Sequence, residues 1–126
     1  MDRVVLFATD FLEINENIEI EFDSSIDKED NCAGYCVDDE DVTIYVNPKM
    51  DTDTIIKTLF HEFVHAKQYI NNELCMGVNL KPSTWHGEEY TGDYYEAPWE
   101  KEAYELENAM WDIFSQEFLK KTVDIN

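Results

Sequence analysis

The sequence predicts an α+β domain: an N-terminal helix, a small antiparallel sheet of about three strands, a long central helix and a C-terminal helix. Two periodicities predict it. Apolar residues recur at helical spacing near both ends and in the middle of the chain, and they alternate with period two between the first two of those stretches. A length of 126 residues with 44% hydrophobic content suits a single core, so residues 1–126 read as one domain.

Val4, Phe7, Ala8, Phe11 and Leu12 lie one helical turn apart, which places the first helix from about Asp2 to Glu13. The period then changes. Ile18, Ile20 and Phe22 alternate with Glu19 and Glu21, the mark of a half-buried strand over Asn17 to Phe22. Cys32 to Val37 and Val42 to Val46 flank the acidic turn Asp38-Asp39-Glu40-Asp41 and read as a β-hairpin. Beyond Pro48, the group Asp51, Thr52 and Asp53 supplies caps and negative charge for the start of a long helix. Wound at about 100° per residue, residues 54–70 gather Ile55, Ile56, Leu59, Phe60, Phe63 and Ile70 on one stripe, with His61 and His65 nearly opposite. The last helix begins at Pro98 and runs to about Lys120, burying Trp99, Ala103, Leu106, Met110, Ile113 and Phe114. Between these helices, Asn71 to Ala97 has little periodicity but many aromatics, which reads as an ordered, functional loop.

The charge excludes several classes of function. With 29 acidic against 9 basic residues the net charge is −20, which repels phosphate backbones and anionic membrane surfaces, so neither direct nucleic-acid binding nor membrane association is expected. No run reaches the roughly 18 apolar residues of a membrane span, and the interrupted start of the chain lacks a secretory cleavage pattern. The expected protein is soluble and cytoplasmic. Three cysteines cannot all pair internally, and Cys32 and Cys36 have no second pair to complete a four-ligand site, so reduced thiols are expected.

The chemistry concentrates in His61-Glu62-Phe63-Val64-His65. Two histidines one helical turn apart have Cβ atoms roughly 5–6 Å apart, close enough for both imidazoles to reach one zinc ion. Glu62 lies beside them, where it can take a proton from a water activated by the metal and pass it to a leaving amine. Shuffling this composition yields the five-residue pattern only about 0.01 times per chain, which makes coincidence a weak explanation. A catalytic zinc needs a third protein ligand and one open position. Glu100, in Pro98-Trp99-Glu100-Lys101-Glu102-Ala103-Tyr104, is one candidate and shares a flank with Tyr104 and Glu107. His86, in Trp85-His86-Gly87-Glu88-Glu89-Tyr90, competes with it. Glu102 is a further alternative, but it points about 160° away from Glu100 around the helix, so only one of the two can serve.

These residues resemble a known family. His61 to Tyr69, then Trp85-x-Gly87, then Tyr95-x-x-Pro98-Trp99-Glu100-x-Glu102-Ala103-Tyr104, are similar to small metallopeptidases of phages and bacteria related to the gluzincins. The resemblance covers residues 50–107. It implies a minimal zincin-like fold, one zinc ion per chain, hydrolysis of peptide or protein substrates, and the first glutamate of the later helix, here Glu100, as third ligand. If the chain is phage-encoded, its compartment is the host cytoplasm. Tyr104 stands where the gluzincin pattern carries an aspartate. A weaker resemblance, through His86-Gly87-x-x-Tyr90, is to SprT-like proteases, which take the third ligand from a histidine. With Glu100 as the ligand, His86, Tyr94, Tyr95 and Tyr104 become candidates for contacting the substrate or its oxyanion.

Such a sheet is expected to offer an edge to an extended peptide, with Val42 to Val46 the strand nearest the site. Two other classes compete with the peptidase: a zinc-binding interaction module without turnover, and an acidic mimic of nucleic acid that blocks a DNA-binding partner. Oligomeric state and cleavage specificity are not written in these motifs.

Overall fold

In a computed structural model, residues 2–23, 34–38, 42–75, 83–92 and 96–119 are described. Helix α1, Asp2–Phe11, leads into strand β1, Glu19–Phe22. A hairpin of β2, Gly34–Asp38, and β3, Val42–Val46, precedes helix α2, Thr52–Ile70. Three two-residue strands follow: β4, Leu74–Cys75; β5, Thr84–Trp85; and β6, Glu88–Glu89. Helix α3, Pro98–Phe114, closes with a π turn, Ser115–Leu119. No described helix is long and apolar enough to cross a membrane.

The architecture is α+β, as the periodicities predict, with differences in the sheet. Its order is β1-β3-β2, with β2 antiparallel to β3 but β1 parallel to it, Glu19 opposite Thr43 and Phe22 opposite Val46. Antiparallel pairing throughout was the expectation. The short connection 39–41 forces β2 to fold back on β3, whereas the long connection 23–33 lets β1 approach β3 from the other side. Strand β3, expected to lie nearest the site, is central and paired on both sides, so it offers no open edge to a peptide. The edges are β1 and β2. Val42, Ile44 and Val46 face the core, while the edge position of β1 leaves Phe22 half exposed. The second sheet, β4-β5-β6, lies inside the stretch expected to be a loop. Strands of two residues are too short to show any period.

The core lies where α1, α2 and α3 meet the sheet. Val4 and Ala8 of α1, Ile44 and Val46 of β3, Ile56, Leu59, Phe60 and Phe63 of α2, and Ala103, Met110 and Phe114 of α3 form one buried cluster. Phe7, Phe60 and Phe114 meet with each ring pair 5.5 Å apart, joining one side chain from each helix at centroid distances that favour aromatic packing. Ile113, expected in this core, is 40% exposed.

Both ends of α2 are specified locally. Asp51 accepts from the Thr54 backbone N–H at 3.2 Å and from the Thr54 hydroxyl at 2.6 Å, the N-cap its position predicts. At the other end Asn72 adopts φ +57°, while the N–H of Glu73 donates to Gln68 O and that of Asn72 to Tyr69 O. This Schellman closure uses an asparagine where glycine is usual, and it turns the chain into β4.

Candidate metal centre

Helix α2 is not a half-exposed amphipathic helix. The face opposite its apolar stripe lies under α3, so Glu62 and His65 are each only 8% exposed. A helical wheel shows which face is polar, but not what covers it. Pro98 starts α3 so that Glu100 falls in its first turn, buried against α2. Ligand atoms of His61, His65 and Glu100 all lie within 4.8 Å of one another. One carboxylate oxygen, Glu100 Oε1, is 3.0 Å from His61 Nε2 and 3.2 Å from His65 Nε2.

Two imidazole nitrogens and one carboxylate oxygen form a donor set that zinc takes up at catalytic sites, with one position left for water or substrate. Bonds of roughly 2.0–2.1 Å in a tetrahedron require donors roughly 3.3 Å apart, close to the spacing between Glu100 and each ring. The rings are also oriented for the purpose. Gln68 Nε2 donates to Trp99 O at 3.0 Å and to Glu102 Oε1 at 3.1 Å, both acceptors, which leaves its Oε1 to accept from His65 Nδ1 at 2.8 Å. His65 is thus protonated at Nδ1 and directs Nε2 toward Glu100. Glu107 Oε1 holds His61 Nδ1 in the same way at 2.9 Å. A carboxylate or carbonyl oxygen on the far nitrogen fixes the tautomer and raises the basicity of a ligating imidazole.

Sequence reasoning assigned neither Glu107 nor Gln68 a role. The available signals were spacings: Glu107 lies seven residues after Glu100 on the same flank, and Gln68 three after His65. Glu107→Ala is expected to weaken zinc affinity by about 10- to 100-fold without preventing binding, as competition against a chromogenic chelator will read. An unchanged affinity would show that the His61 ring needs no such support.

Burial alone would depress the His61 pKa, but the hydrogen bonds to Glu100 and Glu107 outweigh it and hold the ring at about 9. His65 is raised for the same reason, with Glu100 as the opposing partner. Burial of Glu100 favours its neutral form, yet the two histidines pull its carboxyl well below the usual range. Glu62 moves the other way: burial raises it to about 7, against the attraction of His65 and His61.

The raised histidine contributes its full stability below the ordinary value of 6.5, and that contribution is lost as pH rises toward 9. Glu62 adds a loss of the same sign between 4.5 and about 7. The melting temperature of the metal-free protein should therefore fall from pH 6.5 to 9. Zinc affinity should rise over that interval by about tenfold per pH unit, because the proton on His61 competes with the ion. A melting temperature that climbs with pH in the presence of chelator would contradict the protonated pair.

The other predicted site residues are dispersed. His86 is exposed at the β5–β6 turn, with φ +51° at His86 and +84° at Gly87, and its ring packs against Trp85 at 4.4 Å. Two positive φ angles make a primed hairpin turn, so the His-Gly pair that resembled a ligand segment serves here to reverse the chain. Among the described residues the metal-capable group contains Glu100 and neither His86 nor Glu102. Glu102 accepts from Lys67 at 3.2 Å and from Gln68, so it acts on His65 only through Gln68. Tyr94 and Tyr95 lie outside the described residues. Tyr104 is 59% exposed, its ring 4.6 Å from that of His61. It lines a cleft of about 320 Å³ with Thr54, Lys57, Thr58, His61, Glu62 and Glu107.

Fold and site together define an α+β domain with a two-histidine, one-glutamate group able to hold a metal ion between two helices. No protein-family model, curated protein or solved structure significantly matches this chain.

Proposed function

We propose that this chain is a zinc-dependent metallopeptidase of the small gluzincin-like type. The observation that carries the reading is the convergence of Glu100 with His61 and His65, beside a cleft that His61 and Glu62 line. His61, His65 and Glu100 would hold a zinc ion, which would supply Lewis acidity toward a bound water and a peptide carbonyl. Imidazole and carboxylate donors accept other divalent ions as well, but zinc suits this set best.

Glu62 is the proton carrier. Burial raises its pKa, which strengthens it as a base that takes a proton from the attacking water and returns it to the amine leaving the scissile bond. Glu107 and Gln68 keep both Nε2 atoms directed at Glu100, so the metal-holding geometry exists before substrate arrives. Tyr104, exposed beside His61, is the proposed donor to the carbonyl oxygen as negative charge builds on it. A substrate backbone can extend along β2, an edge strand of a sheet that packs on α2.

Purified protein loaded with zinc should carry one ion per chain and cleave peptides in a mixed-sequence pool. Chelation should abolish cleavage and added zinc restore it. Bound zinc with no cleavage in any pool would favour an interaction module. Binding to a basic partner that persists without both histidines would favour nucleic-acid mimicry.

A further inference from the structure

One cation lines the cleft. Lys57 sits one helical turn before His61 and lines the cleft with His61, Glu62 and Tyr104. Its ammonium lies 4.8 Å from the centre of the Trp111 ring, a contact that holds the side chain between α2 and α3. No carboxylate lies within ion-pairing distance of it among the described residues, whereas Lys67 pairs with both Glu73 and Glu102. What singles Lys57 out is its place: it is the one lysine or arginine among the residues that line the cleft beside the metal centre. Of the two carboxylates that line the cleft, Glu62 and Glu107, the latter is engaged by His61.

We propose that Lys57 is a specificity residue, which makes the cleft prefer peptides that place a carboxylate within one or two residues of the bond cleaved. The inference rests on the peptidase reading above. One turn of helix separates Lys57 from His61, roughly 5–6 Å between Cβ atoms, and an extended peptide advances about 3.3 Å per residue. The reach of the lysine thus corresponds to the neighbouring residue or the one beyond. The net charge of −20 repels anionic peptides at long range, but salt screens it beyond about 8 Å, so the selection acts at contact. The recognised carboxylate can be the free C-terminus or an aspartate or glutamate side chain.

Four decapeptide pools distinguish these sources: C-terminal acid or amide, each with or without acidic side chains. Cleavage by the zinc-loaded protein is read by mass spectrometry. The expected result is roughly tenfold higher kcat/KM for carboxylate-bearing pools, expressed mainly in KM. A preference confined to the acid terminus identifies removal of C-terminal residues; one that follows side chains identifies internal cleavage beside acidic residues. Lys57→Met should collapse the ratio toward one and Lys57→Arg should keep it, with zinc content equal in all three proteins. Equal cleavage of all pools by the wild type, or an undiminished ratio in Lys57→Met, overturns the proposal while leaving the peptidase intact.

Zinc-loaded Glu62→Gln separates the two readings further. Acetylated dialanine, as free acid or as amide, is titrated against it and followed by NMR. If the wild type cleaves nothing, the peptidase reading fails alone. A preference for the acid that disappears when Lys57→Met is added then still supports a carboxylate site, and equal binding overturns it.

Discussion

Glu62→Gln should lower kcat/KM for peptide cleavage by about 10²- to 10⁴-fold, the range lost with a positioned general base, while zinc affinity stays within a few-fold. The amide matches the carboxylate in shape but cannot take a proton. The same substitution should stabilise the folded state. Burial raises Glu62 from 4.5 to about 7, so an ionised Glu62 opposes folding above that pH. At pH 8 the metal-free variant should exceed the wild type by about 2–3 kcal/mol in a denaturant titration. Bound zinc would draw the Glu62 pKa down, so the acid limb of the wild-type rate profile should lie below pH 7. A variant that loses activity together with stability or zinc would assign Glu62 a structural role.

Glu100→Ala has the second large effect, of the opposite kind. It should reduce zinc affinity by on the order of 10³-fold, because one of three protein ligands is lost. It also leaves His61 and His65 buried with no carboxylate between their Nε2 atoms. Removing one partner of a buried pair costs about 3–5 kcal/mol when the other keeps its charge, and here the histidines can shed protons instead, so a loss of about 2–3 kcal/mol is expected at pH 6. The loss should shrink as pH rises through 9, where His61 gives up its proton in the wild type. Glu102→Ala, by contrast, should reduce zinc affinity only modestly, since Glu102 touches Gln68 and Lys67 rather than either ring. Equal effects of the two substitutions would contradict the assignment of Glu100.

These contrasts show which parts of the site could be read before folding. The spacing of His61 and His65 and the Asp51 cap are local facts, so the helix and the pairing of its imidazoles were legible. The rotation of α3, set by Pro98 and the apolar positions Trp99 and Ala103, showed that Glu100 and Glu102 cannot both serve, while the choice of Glu100 came from the family resemblance. Glu107 and Gln68 were not legible as ring supports, because their roles depend on how closely α3 approaches α2 and on a backbone carbonyl at Trp99. Period-two alternation reveals which side of a strand faces inward, but not its direction, so the parallel β1–β3 pair was hidden. The His86-Gly87 string was ambiguous for a different reason. The same two residues serve as a ligand segment or as a hairpin turn, and only the backbone angles decide.

The central claim is that one ion is held between α2 and α3 by two histidines and a glutamate. It is tested most directly by crystallising zinc-loaded protein and locating the ion by anomalous scattering at the zinc edge. The account predicts one peak per chain, bonded at roughly 2.0–2.1 Å to Nε2 of His61, Nε2 of His65 and a carboxylate oxygen of Glu100. A peak elsewhere, a third bond from His86 or Glu102, or no peak at saturating zinc would contradict it.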